Sequence, residues 1–229
     1  MKELIEKIIA YIPAYLLSLG KLLAQPKRFL AETQPDTEVG FRNGLQFLSV
    51  SIVLGVIATA PLAPKASDIW TRVATLSIFE VLGVAAMACA LRLAWRIAGG
   101  RSSIRSFFTL YAYTSSVVVL LTVLTILISD GTAKVFNPVL YEAVMKAQSL
   151  HQPIPGDVAG SKAFVAAFIV LVCGFQMLSV WAFVTWGAFR ALNAATRIQS
   201  VAALMLTSVM GWAITFVGFI IGRAMNPTQ

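Results

Sequence analysis

The sequence contains little of the chemistry that most enzymes and metalloproteins use. Among its 229 residues it has one histidine, His151, and two cysteines, Cys89 and Cys173. Histidine and cysteine metal sites need several such ligands together, so a histidine-based metal site within the chain is excluded. It also lacks a Gly-x-Ser-x-Gly motif, a His-Glu-x-x-His motif and a phosphate-binding glycine loop. We therefore expect a protein that is not an enzyme and needs no cofactor.

Charge is scarce as well. Charged residues make up 12% of the chain and hydrophobic residues 58%, whereas about 25% of a typical soluble domain is charged. The hydrophobic residues form five runs, near residues 44–62, 73–97, 107–128, 163–189 and 199–222. Because a helix needs about 20 apolar residues to cross a membrane, each run is long enough to span it. The sequence predicts an all-α, polytopic membrane helix bundle with five transmembrane helices. No aspartate lies within a run, which excludes intramembrane proteolysis by paired aspartates.

Residues 1–43 precede the first run and have a different pattern. Apolar residues recur at helical spacing up to Gln25, and polar residues occupy the opposite face. This predicts an N-terminal interfacial amphipathic helix with Tyr11 and Tyr15 at headgroup depth. A helix packed on the bundle fits the pattern equally well. We expect a cytoplasmic segment at 1–43, a transmembrane domain at 44–222, and an external loop at 129–162 with a short helix near 137–150.

Lysine and arginine are distributed unequally between the connections. Twelve lie on the side that carries the N-terminus and six on the other. The positive-inside rule then places the N-terminus in the cytoplasm and the C-terminus outside. The net charge of +8 is assigned to contact with anionic headgroups rather than nucleic acid, because no basic run is interleaved with aromatic residues. Gly99 and Gly100 are expected to end the second helix, and Ser102 or Ser103 to cap the third.

Glu80 is the acidic residue inside the second run. An ionised carboxylate facing lipid is costly, so Glu80 should face the bundle or a hydrated cavity, or be protonated. It is either a proton or cation site, or a buried carboxyl bonded to Ser77, to a threonine of another span or to Arg72.

Other polar side chains lie in the third and fourth runs. Gln176, near the middle of the fourth, is a candidate for an interhelical hydrogen bond or a ligand contact. Thr114 and Ser115 either line a polar path or bond back to carbonyls one turn earlier. Together the candidate intramembrane polar site comprises Glu80, Gln176, Ser77, Thr114 and Ser115.

Four arginines at the end of the second run and the start of the third are candidate headgroup contacts: Arg92, Arg96, Arg101 and Arg105. Arg92 and Arg96 lie one turn apart on one helix face. They either grip a phospholipid headgroup or extend to the interface and set the topology.

Three glycines in the fifth run, Gly211, Gly218 and Gly222, mark a face for close helix packing. The packing is either within the chain or between chains, so a protein partner or a homo-oligomer is expected.

Several stretches carry a family resemblance: Leu22–Phe29 before the first run, Trp95–Gly100 after the second, Phe107–Tyr113 in the third and Trp181–Leu192 in the fourth. Over residues 22–222 the chain resembles the YIP (Ypt-interacting protein) family of small five-span membrane proteins, in its bacterial form. The resemblance implies an architecture and supplies no catalytic residues. Eukaryotic members of that family engage Rab-type GTPases and shape early secretory membranes. For this chain it implies a bacterial cytoplasmic (inner) membrane protein.

Two functions fit these expectations. The first is a non-catalytic membrane organiser or adaptor that binds lipids and partner proteins. The alternative is a small transporter or channel for an ion, a solute or a lipid, with Glu80 and Gln176 in a polar cavity. The lack of an internal repeat favours the first.

Overall fold

The computed structural model describes residues 2–62, 69–149, 158 and 160–225. In this part of the chain all regular structure is helical. The helices are α1 (Lys2–Ala24), α2 (Pro26–Glu32), α3 (Glu38–Thr59), α4 (Ile69–Ile97), α5 (Ile104–Phe136), α6 (Pro138–Ser149), α7 (Lys162–Leu192) and α8 (Arg197–Met225), with a 3-10 turn at Ala60–Leu62.

Five of these helices, α3, α4, α5, α7 and α8, are long and apolar enough to cross a membrane. The predicted all-α class and the five spans are therefore confirmed, and they indicate an integral membrane protein. Two boundaries differ most from the prediction. α3 already begins at Glu38, where Thr37 caps it by accepting a hydrogen bond from the Gly40 amide. α5 continues to Phe136, so Asp130, predicted to lie outside the spans, belongs to the helix of the third span.

The segment predicted as a loop at 129–162 is therefore partly helical. Its first residues complete α5, and the short helix expected near 137–150 is present as Pro138–Ser149. The Asn137 side chain accepts a hydrogen bond from the Leu140 amide at 3.0 Å, which caps α6. Leu150 and His151 lie outside the described residues.

α5 is the central helix, with α3 and α7 packed along its two sides. Glycines make these contacts close. A side chain at Gly44 would meet the Thr109 carbonyl and the Tyr113 ring at 3.4 Å, and one at Gly174 would overlap Thr125. α4 pairs mainly with α8 and contacts α5 much less. The bundle therefore has a tight core of α3, α5 and α7, beside which the α4–α8 pair stands partly separate.

The N-terminal helix packs on this core through residues 11–24. Tyr15 is 1% exposed and its ring lies 4.6 Å from that of Phe47. Leu22 is fully buried, whereas Leu16 and Leu17 are exposed. Of the two alternatives for this helix, packing on the bundle is thus the one that its contacts favour. Tyr15 is buried against α3 rather than directed to the headgroups.

Candidate functional site

A cleft of about 810 Å³ lies between α4 on one side and α3, α5 and α7 on the other. It follows α5 from Tyr111 to Ile126, about four helical turns or 22 Å at 1.5 Å per residue. Most of its lining is aliphatic, for example Ile52, Val84 and Val119. α4 packs mainly against α8 and makes few contacts with α5. The α5 surface that faces α4 therefore stays uncovered and forms one wall of the cleft.

Three residues of the predicted polar site meet in this cleft: Glu80 from α4, and Thr114 and Ser115 from α5. The Thr114 hydroxyl donates to the carbonyls of Leu110 and Tyr111 at 3.0 Å, the backbonding that the sequence suggested as one alternative. Glu80 has no hydrogen-bond or ion-pair partner among the described residues. The cleft therefore offers one free carboxyl in mostly aliphatic surroundings.

Tyr111 is a cleft residue that sequence reasoning missed. Its hydroxyl donates to the Val84 carbonyl at 2.9 Å and so ties α5 to α4. The signal in the sequence was weak, since an aromatic residue near the start of a span is usually an interfacial anchor.

The other two residues of the predicted polar site lie elsewhere. Ser77 donates to the Val73 carbonyl of its own helix at 2.7 Å and is not among the cleft residues. Gln176 is exposed on α7. It follows the buried Gly174 by two residues, about 200° around the helix, and so faces away from α5. The structure does not bring Gln176 and Glu80 together. Arg72, the third alternative partner of Glu80, has a side chain outside the described residues.

Of the four candidate headgroup arginines, Arg92 is engaged within the protein. Its guanidinium donates to the Ser102 hydroxyl and to the Ser102 carbonyl, both at 2.7 Å, and lies 5.2 Å from the centre of the Phe107 ring. The Ser102 hydroxyl in turn donates to the Asn193 side chain at 2.7 Å. We call Arg92, Ser102 and Asn193 the Arg92 latch. Arg96, Arg101 and Arg105 are exposed and remain candidates for headgroup contact.

The Arg92 latch joins two helix ends of the same kind. Gly99, at a φ of +93°, follows α4, and the Gly100 amide donates to the Trp95 carbonyl. Ala194, at a φ of +49°, follows α7, and the Ala195 amide donates to the Arg190 carbonyl. Both are Schellman-type ends. The predicted helix end at Gly99 and the predicted cap at Ser103, which accepts from the Ser106 amide, are confirmed. Asn193 was missed, because its partner Ser102 is far away in the sequence.

The glycines predicted for helix packing are only partly described. Gly211 lies on α8 against α4, where a side chain would meet Met87 Cε at 3.3 Å. The surroundings of Gly218 and Gly222 lie outside the described residues. Gly174 of α7, which the sequence did not single out, makes the closest approach to a neighbouring helix among the described glycines.

A second cavity of about 450 Å³ lies at the opposite end of the bundle, beneath α6. The Tyr141 hydroxyl donates to the two carboxylate oxygens of Asp130 at 2.9 and 3.0 Å. Burial, with the hydrogen bond and charge of Asp130, raises the pKa of Tyr141 above its ordinary value. This contact fixes α6 against α5. In the described part of the chain, no three His, Cys, Asp or Glu side chains group closely enough to hold a metal ion.

In comparisons with known proteins, the chain matches no protein-family model, no curated protein and no solved structure.

Proposed function

We propose that this chain is a non-catalytic integral membrane protein that binds lipid and acts as a membrane organiser or adaptor. The observation that carries the proposal is the cleft between α4 and α5. Its length of about four turns and its aliphatic lining suit one acyl chain of a membrane lipid or a similar amphiphile.

The polar groups in the cleft favour a lipid over a hydrated solute. The hydroxyls of Thr59, Thr114 and Thr185 donate to carbonyls of their own helices, and Tyr111 donates to Val84. These hydroxyls have used their hydrogens within the protein and cannot donate to an anion, and the mostly aliphatic lining offers few oxygen atoms to replace the water shell of a cation. The free carboxyl of Glu80 remains as one polar contact, which suits a hydroxyl or amine on an amphiphile.

The proposal also covers the membrane in which the protein lies and its orientation there. The resemblance of residues 22–222 to bacterial YIP-type proteins supports a place in a bacterial inner membrane. The excess of basic residues on one side supports a cytoplasmic N-terminus.

Large apolar side chains remain exposed on α7 and α8, among them Phe183 and Trp212. Lipids cover most of such a surface, and a protein partner or second copy would bind the rest. A pull-down in mild detergent, compared with an unrelated five-span protein, would identify that partner.

A matched pair of glycine variants tests the cleft. A side chain has open space at both Gly83 and Gly131, but only Gly83 lines the cleft. Gly83→Leu should fill the cleft without disturbing the backbone, and Gly131→Leu should leave it open. We expect native mass spectrometry of the purified protein to show a retained lipid in the wild type and Gly131→Leu, and its loss in Gly83→Leu. Equal retention in both variants would contradict a cleft-bound lipid.

The second candidate function, transport of a small solute or ion, is favoured by one observation, the unpartnered Glu80 in the cleft. It predicts flux in liposomes that falls in Glu80→Gln. If the wild type and Glu80→Gln leak equally at the level of empty liposomes, transport through this cleft is excluded.

A further inference from the structure

A third cavity, of about 320 Å³, lies at the end of the bundle that carries the Arg92 latch, between α2 and the last turns of α7. It shares no lining residue with the cleft beside Glu80. Its floor is apolar and includes Leu30, Leu110 and Leu192. Two basic residues, Lys27 and Arg190, lie at its edge.

The two cations are held on one face of α7. The Lys27 stem lies beside Gly187, where an added Cβ would be 3.7 Å from Lys27 Cε. Arg190 follows Gly187 by three residues, so both charges lie within about one turn of the same helix face. The Lys27 stem and Arg190 therefore share this side of α7 and line the same cavity.

The nearby acids do not neutralise this pair. Glu32 accepts from Arg28 at 2.8 Å in an ion pair, and Asp36 accepts from the Ser103 hydroxyl at 2.9 Å. In the described ranges, neither Lys27 nor Arg190 has an acidic partner within salt-bridge distance. The amides of Ala194 and Ala195 also satisfy the carbonyls of Ala191 and Arg190. This reduces the repulsion that the C-terminus of α7 would exert on an anion.

We propose that Lys27 and Arg190 bind the phosphate of an anionic phospholipid, and that the first carbons of its acyl chains lie on Leu30, Leu110 and Leu192. Two unpaired cations above an apolar floor match a headgroup phosphate joined to hydrocarbon. A soluble phosphate ion would contact Lys27 and Arg190 but would leave the apolar floor of the cavity empty. The site is additional to the cleft and does not depend on it.

The test is native mass spectrometry of the detergent-solubilised full chain, titrated with dioleoyl phosphatidylglycerol and, in a second series, with dioleoyl phosphatidylcholine. Each basic residue near a membrane surface contributes roughly a fivefold factor in affinity for anionic lipid. Lys27→Gln and Arg190→Gln should therefore each weaken phosphatidylglycerol binding about fivefold and reduce its preference over the zwitterionic phosphatidylcholine.

Arg28→Gln is the matched control, since Arg28 is on the same helix, is exposed and is already paired with Glu32. It should bind phosphatidylglycerol as the wild type does. Gly83→Leu should also keep the preference for phosphatidylglycerol, because it alters only the cleft.

Undiminished phosphatidylglycerol binding in the Lys27→Gln/Arg190→Gln double variant would overturn the proposal. So would full displacement of the lipid by millimolar inorganic phosphate, which would assign the charges to a free anion. Lys27→Arg keeps the charge and should keep the binding, which separates loss of charge from loss of fold.

Discussion

Arg92 holds Ser102 by two hydrogen bonds of 2.7 Å, one to its hydroxyl and one to its carbonyl. The Ser102 hydroxyl continues to Asn193 at the end of α7. An arginine at the end of a membrane helix thereby links three parts of the bundle: α4, the 98–103 connection and α7. The α4–α8 pair stands beside a wide cleft, so this link helps to set the separation of α4 from the core.

The first prediction concerns this arginine. Arg92→Gln should lower the free energy of unfolding by about 2 kcal/mol, since hydrogen bonds to a charged group are worth roughly that much. Arg92→Lys should recover only part of it, because an ammonium lacks the planar fork. Thermal unfolding in mild detergent measures the change. Arg96→Gln, one turn away and exposed, should shift the midpoint by an amount within error. Equal midpoints for the two glutamine variants would show that Arg92 serves only as a surface charge.

The second prediction concerns the docking of α1. The hydroxyls of Tyr15 and Ser51 lie 2.7 Å apart. Ser51 donates to the Phe47 carbonyl, so Tyr15 is the donor to Ser51. Tyr15→Phe should cost about 1 kcal/mol of stability. Tyr11→Phe removes a hydroxyl with no hydrogen-bond partner in the described part of the chain and should be nearly neutral. Limited proteolysis between α1 and α2 reports the docking, and equal cleavage rates in the two variants would argue against the bond.

The third prediction is a pH dependence from the same tyrosine. Burial is the largest effect and raises the pKa of Tyr15 above its ordinary 10.0; the bond to Ser51 lowers it in part, and Tyr11 raises it. The folded pKa thus exceeds the unfolded one. The stability that the protonated Tyr15 hydroxyl contributes is fully present below pH 10 and is lost as the pH rises through the folded pKa. Between pH 9 and pH 12, the wild type should lose more thermal stability than Tyr15→Phe. Parallel curves would mean that Tyr15 ionises without affecting the fold.

Sequence reasoning succeeded where the cause lies within a few residues. The five spans follow from hydropathy averaged over one helix. The helix end at Gly99 and the cap at Ser103 follow from backbone conformation and from a side chain that reaches three residues ahead. These features depend on local chemistry alone.

The rest depended on how each helix is rotated and where helices cross. Gln176 and Gly174 are two residues apart on α7, yet one is exposed and the other meets α5. Hydropathy is high all around α7, so it does not specify which side is buried. The bond from Ser102 to Asn193 joins residues far apart in the chain, and no local pattern predicts it. For the same reason Glu80 was found as a candidate but its neighbours, except Thr114 and Ser115, were not.

The fourth prediction tests the crossing of α5 and α7. A methyl group at Gly174 would overlap the Thr125 side chain. Gly174→Ala should therefore destabilise the protein by about 1–3 kcal/mol, the usual cost of overpacking. Gly131→Ala is the control, since a side chain there has open space, and it should be neutral or slightly stabilising. Thr125→Ala in the Gly174→Ala background should restore part of the loss. Without that recovery, the damage would come from a cause other than this contact.

The last prediction concerns the end of α7, where Ala194 has a φ of +49°. A side chain in this left-handed conformation is strained, and glycine is the residue that adopts it freely. Ala194→Gly should raise the stability by about 0.5–1 kcal/mol despite the greater freedom of glycine in the unfolded chain. Ala195→Gly supplies the comparison. Ala195 has no positive φ, so the same substitution there should only add unfolded-state entropy and lower the midpoint. If both variants lose stability to the same extent, Ala194 is unstrained, and the end of α7 is then held by the bond of Asn193 to Ser102 rather than by its backbone conformation.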